Sequence, residues 1–140
     1  MPFREKTAWG MSLVLILAGA WYFQKVITQS AALGYTSPPD LRFFIGYVIT
    51  VVVASITVAV TLSMLSGKEA DAPADEREKV ILDKAGHWSG YILAVGVVAG
   101  LWHFGWTGDG NLLFHIAFGA LMLSQIAEYL LQIALYRRGV

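Results

Sequence analysis

The feature that most constrains this chain is a run of 23 residues, Phe43–Leu65, without a single charged side chain. A helix rises about 1.5 Å per residue, so this run extends about 34 Å and can cross a hydrocarbon core of about 30 Å. Three further apolar runs of similar length occur in the chain. The sequence therefore predicts an all-α integral membrane protein, a four-helix transmembrane bundle.

The predicted spans cover residues 9–27, 43–65, 88–106 and 112–136 of a single membrane domain, residues 1–140. Only 14% of the residues are charged, whereas a soluble domain carries about 25% to stay dispersed in water. A charged loop, residues 66–84, separates spans 2 and 3. Within it, acidic residues precede basic ones over residues 75–84, which predicts a short cytoplasmic interfacial helix that feeds into span 3.

The placement of lysine and arginine predicts the orientation in the membrane. Eight of the ten lie at the N-terminus, in the loop 66–84 or at the C-terminus, while Lys25 and Arg42 flank the first loop. Loops rich in these residues stay in the cytoplasm. We therefore expect a multi-pass protein with both termini cytoplasmic, N-in and C-in.

Glu128 is a carboxylate well inside an apolar span, where a charged group costs about 2.5–3.5 kcal/mol. At 100° per residue, Ser124, Gln125, Glu128 and Gln132 share one arc of span 4. We expect this polar stripe to face the bundle and to hydrogen-bond across a helix interface, with Thr57 of span 2 as partner. A proton- or cation-coupled site at Glu128 is the functional alternative.

Span 3 carries Gly96-Val-Val-Ala-Gly100, a GxxxG motif that permits close approach of two helices. Packing within the chain is the preferred interpretation, and homo-oligomer formation is the alternative. His103 and His115 flank the outer turn 107–111 and are candidate ligands of haem or partners of a quinone. A close helix hairpin leaves little room for haem. The simpler explanation is that both histidines lie at the membrane interface, in the aromatic belt that includes Trp102 and Trp106.

Several function classes find no support in the sequence. There are no cysteines and the formal net charge is zero, so thiolate chemistry and nucleic-acid binding are not expected. Nucleotide-binding glycine loops and the common hydrolase motifs are absent. We expect no enzyme activity, no metal and no cofactor.

The stretch Asp75-Glu76-Arg77-Glu78, followed by apolar residues and a span, resembles a D-E-R-(E/D) signature of small four-span bacterial inner-membrane proteins. In that family the signature lies between spans 2 and 3. The C-terminal half of span 4 and the residues after it are similar to the ends of proteobacterial members. The resemblance implies a bacterial inner (cytoplasmic) membrane, and the family offers no established activity to carry over.

These features leave three functional hypotheses. The first is a non-enzymatic accessory or interaction subunit, with the lipid bilayer as its environment and a protein partner at the cytoplasmic loop, on the surface Asp75–Glu78. The second is a small proton- or cation-coupled transporter that uses Glu128. The third is a haem or quinone electron carrier that uses His103 and His115.

Overall fold

The computed structural model describes residues 2–69 and 72–139. Residues 70 and 71 of the predicted loop 66–84, and the two terminal residues, lie outside the described residues. The described chain is helical, with no strand in it. The four helices are α1 (Phe3–Leu33), α2 (Leu41–Ser66), α3 (Glu76–Thr107) and α4 (Gly110–Arg138), and a short 3₁₀ turn, Gly67–Glu69, follows α2.

Each helix begins or ends where the sequence supplies a breaker or a cap. Gly34 ends α1 in the left-handed conformation, φ 76°, which costs glycine nothing. Asp40 caps α2 by accepting a hydrogen bond from the backbone N–H of Arg42 at 2.8 Å. Asp75 opens α3 in a capping box with Glu78. Asp109 caps α4, so the turn between α3 and α4 shrinks from the predicted 107–111 to Gly108 and Asp109.

Residues 76–84, predicted to form a short helix that feeds into span 3, are the first turns of α3. No proline or turn signal interrupts the chain between Lys84 and span 3, so the helix continues through 32 residues. Ile81 and Ala85 in these turns are fully buried. The segment is therefore held by packing against the bundle.

All four helices are long and apolar enough to cross a membrane. They pack as a row in the order α2–α1–α4–α3, and the most extensive contact joins α3 and α4. This row leaves α2 and α3 at its edges. Only 6% of the most apolar window of each edge helix is buried, against 39% in α4.

The bundle has two ends along the direction of the helix axes, and different contacts hold each of them. Contacts between Arg4 and Glu78, and between Glu5 and Arg137, bring the starts of α1 and α3 to the end of α4. We call this the terminal end. At the opposite loop end, Asn111 donates to the backbone carbonyl of Thr36 at 3.2 Å, which fastens the α1–α2 segment to the start of α4.

An aromatic core lies toward the loop end. The ring of Phe118 is 4.9 Å from Tyr22, 5.1 Å from Tyr47 and 5.1 Å from Phe44. Such pairs add about 0.5–1.5 kcal/mol each beyond the area they bury. These rings from α1, α2 and α4 position the buried polar groups next to them.

Candidate functional site

The polar stripe of α4 is only partly internal. Ser124 and Gln132 are buried and Glu128 is half-buried, whereas Gln125 is exposed. Gln132 donates to Glu128 Oε1 at 3.5 Å, and the Ser124 hydroxyl donates to the Leu121 carbonyl at 3.0 Å. Gln125 projects within about 20° of Gln132 on the helix, so their different burial comes from what packs at each level of α4 and not from the face alone.

The structure does not bring Thr57 to Glu128. Thr57 is exposed and donates its hydroxyl to the Val53 carbonyl on its own helix, at 2.8 Å. Helix α2 packs mainly against α1. Gly96 of α3 faces Ala120 of α4. The two helices are antiparallel, so Glu128, eight residues after Ala120, lies level with the residue eight positions before Gly96, at the start of span 3. Helix α1 lies between α4 and α2, which keeps Glu128 away from Thr57.

The GxxxG motif faces α4 within the same chain. A Cβ on Gly100 would lie 3.0 Å from Ile116 Cγ2, and a Cβ on Gly96 would overlap with Ala120. The two glycines therefore let the backbones of α3 and α4 approach closely, as the motif predicts for intrachain packing.

His115 is buried among the core rings, and both of its ring nitrogens hold hydrogen bonds. Nε2 lies 2.9 Å from the Ser37 carbonyl, which can only accept, so Nε2 carries the proton. Nδ1 then accepts from the Tyr22 hydroxyl at 3.4 Å. This buried cluster ties α1, α4 and the α1–α2 segment together, and ligation of haem at His115 would break one of its bonds.

Tyr22 is the core residue that sequence reasoning missed, because the aromatic run 21–23 looks like an interfacial belt. It is 1% exposed. A usable signal was present: residues at positions 5, 8, 12, 15, 19, 22 and 26 repeat every three to four residues, and all of them are buried.

His103 lies apart from His115, on α3. It is partly exposed, and its Nδ1 is 3.2 Å from the hydroxyl oxygen of Thr107 one turn on. No three His, Asp or Glu side chains in the described part of the chain come together as a metal site.

The predicted partner surface Asp75–Glu78 is largely used inside the chain. Asp75 and Glu78 form the capping box of α3. Glu78 also pairs with Arg4 at 3.2 Å. Arg77 donates to the Tyr136 carbonyl at 3.3 Å. Glu76 pairs with Lys79 at 2.7 Å on the exposed side of the helix. The D-E-R-E stretch thus fastens α3 to α1 and α4.

Glu5 is a second residue that the sequence did not single out. It is 8% exposed, and its carboxylate lies 3.8 Å from the Arg137 guanidinium, which sits 5.3 Å from the centre of the Trp9 ring. This contact joins the first turn of α1 to the last turn of α4. Its burial could have been inferred from the same repeat of buried positions, every three to four residues along α1.

The chain was compared with known proteins in three ways. No protein-family model matches it, and neither does any curated protein or solved structure. The resemblance of the D-E-R-E stretch to four-span bacterial proteins therefore stays a prediction.

Proposed function

We propose that this chain is a non-enzymatic accessory subunit of the bacterial inner membrane, oriented N-in and C-in, which associates with a helix of a partner protein. The row of four apolar helices supports residence in the bilayer. The proposal moves the partner surface from the cytoplasmic residues Asp75–Glu78 to the membrane-spanning part, because most of those residues are engaged within the chain.

The observation that carries the proposal is a threonine stripe on α2 that nothing in the described chain covers. Thr50, Thr57 and Thr61 lie within about 40° of one another on the helix, and all three are exposed. Hydroxyl groups in an apolar span typically hydrogen-bond to neighbouring helices. The Thr57 oxygen, having donated to Val53, can still accept from a partner.

The stripe borders a notch between α1 and α2 that can seat a helix. The notch has a volume of about 270 Å³, and Leu17, Trp21, Thr50 and Ala54 are among the residues that line it. Ala54 and Thr50 are small, which suits close approach of a backbone. A transmembrane helix of the partner placed here would contact α1 and the threonine stripe together.

Site-specific photo-crosslinking in native membranes tests this proposal. A benzophenone side chain at position 57 should give one discrete protein adduct, and the same group at Ile56, also exposed but about 100° around the helix, should give none. An adduct of equal yield at both positions, or none at position 57 or 61, would show that this face meets lipid. A discrete adduct with twice the mass of the chain would identify the partner as a second copy.

A second hypothesis, proton- or cation-coupled transport through Glu128, has one supporting observation. Buried Ser124 and Gln132 flank a half-buried carboxylate for which the described residues provide no cation within ion-pair distance. Proton-driven flux into proteoliposomes that disappears in Glu128→Gln while the fold persists would favour this hypothesis over the accessory role.

A further inference from the structure

A groove runs along the uncovered face of α3 at the loop end. It has a volume of about 830 Å³ and is lined by apolar and aromatic side chains, with the imidazole of His103 and the indole N–H groups of Trp102 and Trp106 as its polar groups. Its walls include Trp102 and Trp106, which are 70% and 78% exposed. The groove extends from His103 about two turns toward the middle of the helix, to Val95 and Val98.

The hydrogen bonds of Thr107 favour a proton on Nδ1 of His103. The Thr107 hydroxyl donates its single proton to the His103 carbonyl, at 2.9 Å. Its 3.2 Å contact with Nδ1 therefore needs Nδ1–H as the donor, and the backbone N–H of Asp109 donates to the same oxygen at 3.3 Å. In the neutral imidazole, Nε2 is left with a lone pair, the tautomer opposite to that of His115.

The lone pair on Nε2 sets the chemistry of a ligand for this groove. The ligand must offer an O–H donor near the end of the helix, at interfacial depth, and an apolar tail that follows Val98 and Val95. The two indoles favour a flat ring beside the donor. No lysine or arginine lines the groove, so it lacks a counter-ion for a phosphate headgroup or for the propionates of haem.

We propose that this groove binds an isoprenoid quinol, with a hydroxyl of the reduced ring donating to Nε2 of His103. The proposal is independent of the partner helix at α2, which lies at the opposite edge of the row. Thr107 is a positioning residue, because its hydroxyl favours the tautomer that leaves Nε2 free to accept.

Binding of a ubiquinol with a ten-carbon tail to the full chain in lipid nanodiscs tests the proposal. Retention of the quinol should saturate near one molecule per chain, and the oxidised quinone, which has no O–H to donate, should bind about tenfold more weakly. His103→Leu should reduce quinol affinity by a similar factor, and Thr107→Val by less. His87→Leu, which removes an exposed histidine at the other end of α3, should bind like the wild type.

Nitrogen-15 NMR of the imidazole rings gives a second readout that does not depend on ligand retention. His103 should show a protonated Nδ1, and its Nε2 resonance should shift when quinol is added. Equal affinity for quinol and quinone would overturn the proposal. So would retention that rises linearly with ligand and is unchanged in His103→Leu, as bulk lipid partitioning predicts. Haemin binding with a Soret shift that is lost in His103→Leu would reassign the groove to haem.

Discussion

Replacing Gly96 by alanine should separate α3 from α4. An ideal Cβ at this position lies 3.3 Å from the Ala120 Cα and closer still to its Cβ, which is fixed to the backbone and cannot rotate away. Carbon atoms pack at about 3.5–4.0 Å, so the two helices must move apart by about 1 Å. Overpacking of this kind costs about 1–3 kcal/mol. Because α3 depends on α4 for most of its packing, we expect the loss near the upper end.

Two matched variants isolate the contact. Gly90→Ala lies on the same helix with nothing within 4 Å of its Cβ, so it should be neutral or stabilising by about 0.5–1 kcal/mol. The reciprocal exchange Gly96→Ala with Ala120→Gly moves one methyl group across the interface and should restore most of the loss. Unfolding midpoints in a detergent titration, combined in a double-mutant cycle, measure the coupling. If Gly96→Ala is as harmless as Gly90→Ala, the close approach of α3 and α4 is refuted.

Three other variants test further parts of the structure. Ile81→Ala should lower the free energy of unfolding by about 2–5 kcal/mol, because the side chain is fully buried. Val80→Ala, at an exposed position, should cost under about 1 kcal/mol. Equal losses in a detergent titration would contradict the packing of the first turns of α3 against the bundle. Glu128→Gln keeps an acceptor for Gln132 and should cost under about 1 kcal/mol, less than Glu128→Leu, and the reverse order would show that the carboxylate faces lipid. The backbone N–H of Leu112 lowers the pKa of Asp109 below its ordinary 3.8. The ionised Asp109 cap therefore stabilises the fold fully at neutral pH, and this stabilisation is lost as the pH falls through the lowered pKa. The difference in Tm between wild type and Asp109→Ala should narrow below pH 3.8, and a difference that stays constant with pH would exclude this cap.

The helices could be predicted from the sequence because length and apolarity alone set them. Four long apolar runs, and caps such as Asp40, mark where helices form and start. The continuity of residues 75–84 with span 3 could be predicted as well, because no proline interrupts the chain there, and α3 extends over 32 residues.

The neighbours of each helix could not be predicted, since uniformly apolar helices carry little information about which face meets which. Thr57 and Glu128 lie at similar depth, but depth does not show that α1 and α4 occupy the middle of the row. The tautomer of His115 depends on a hydrogen bond to the Ser37 carbonyl, which only the fold brings close to it. Polar residues in the sequence therefore indicated candidate sites without their partners.

The most direct test of the four-span, N-in and C-in arrangement is a pair of topology reporters. A fluorescent protein fused after the last residue should fold and fluoresce in the cytoplasm, and alkaline phosphatase inserted between Gly108 and Asp109 should be active in the periplasm. These results are expected because the terminal end holds eight of the ten lysines and arginines. A C-terminal fusion that does not fluoresce, together with an insertion at the turn that shows no phosphatase activity, would contradict the orientation and every placement that depends on it.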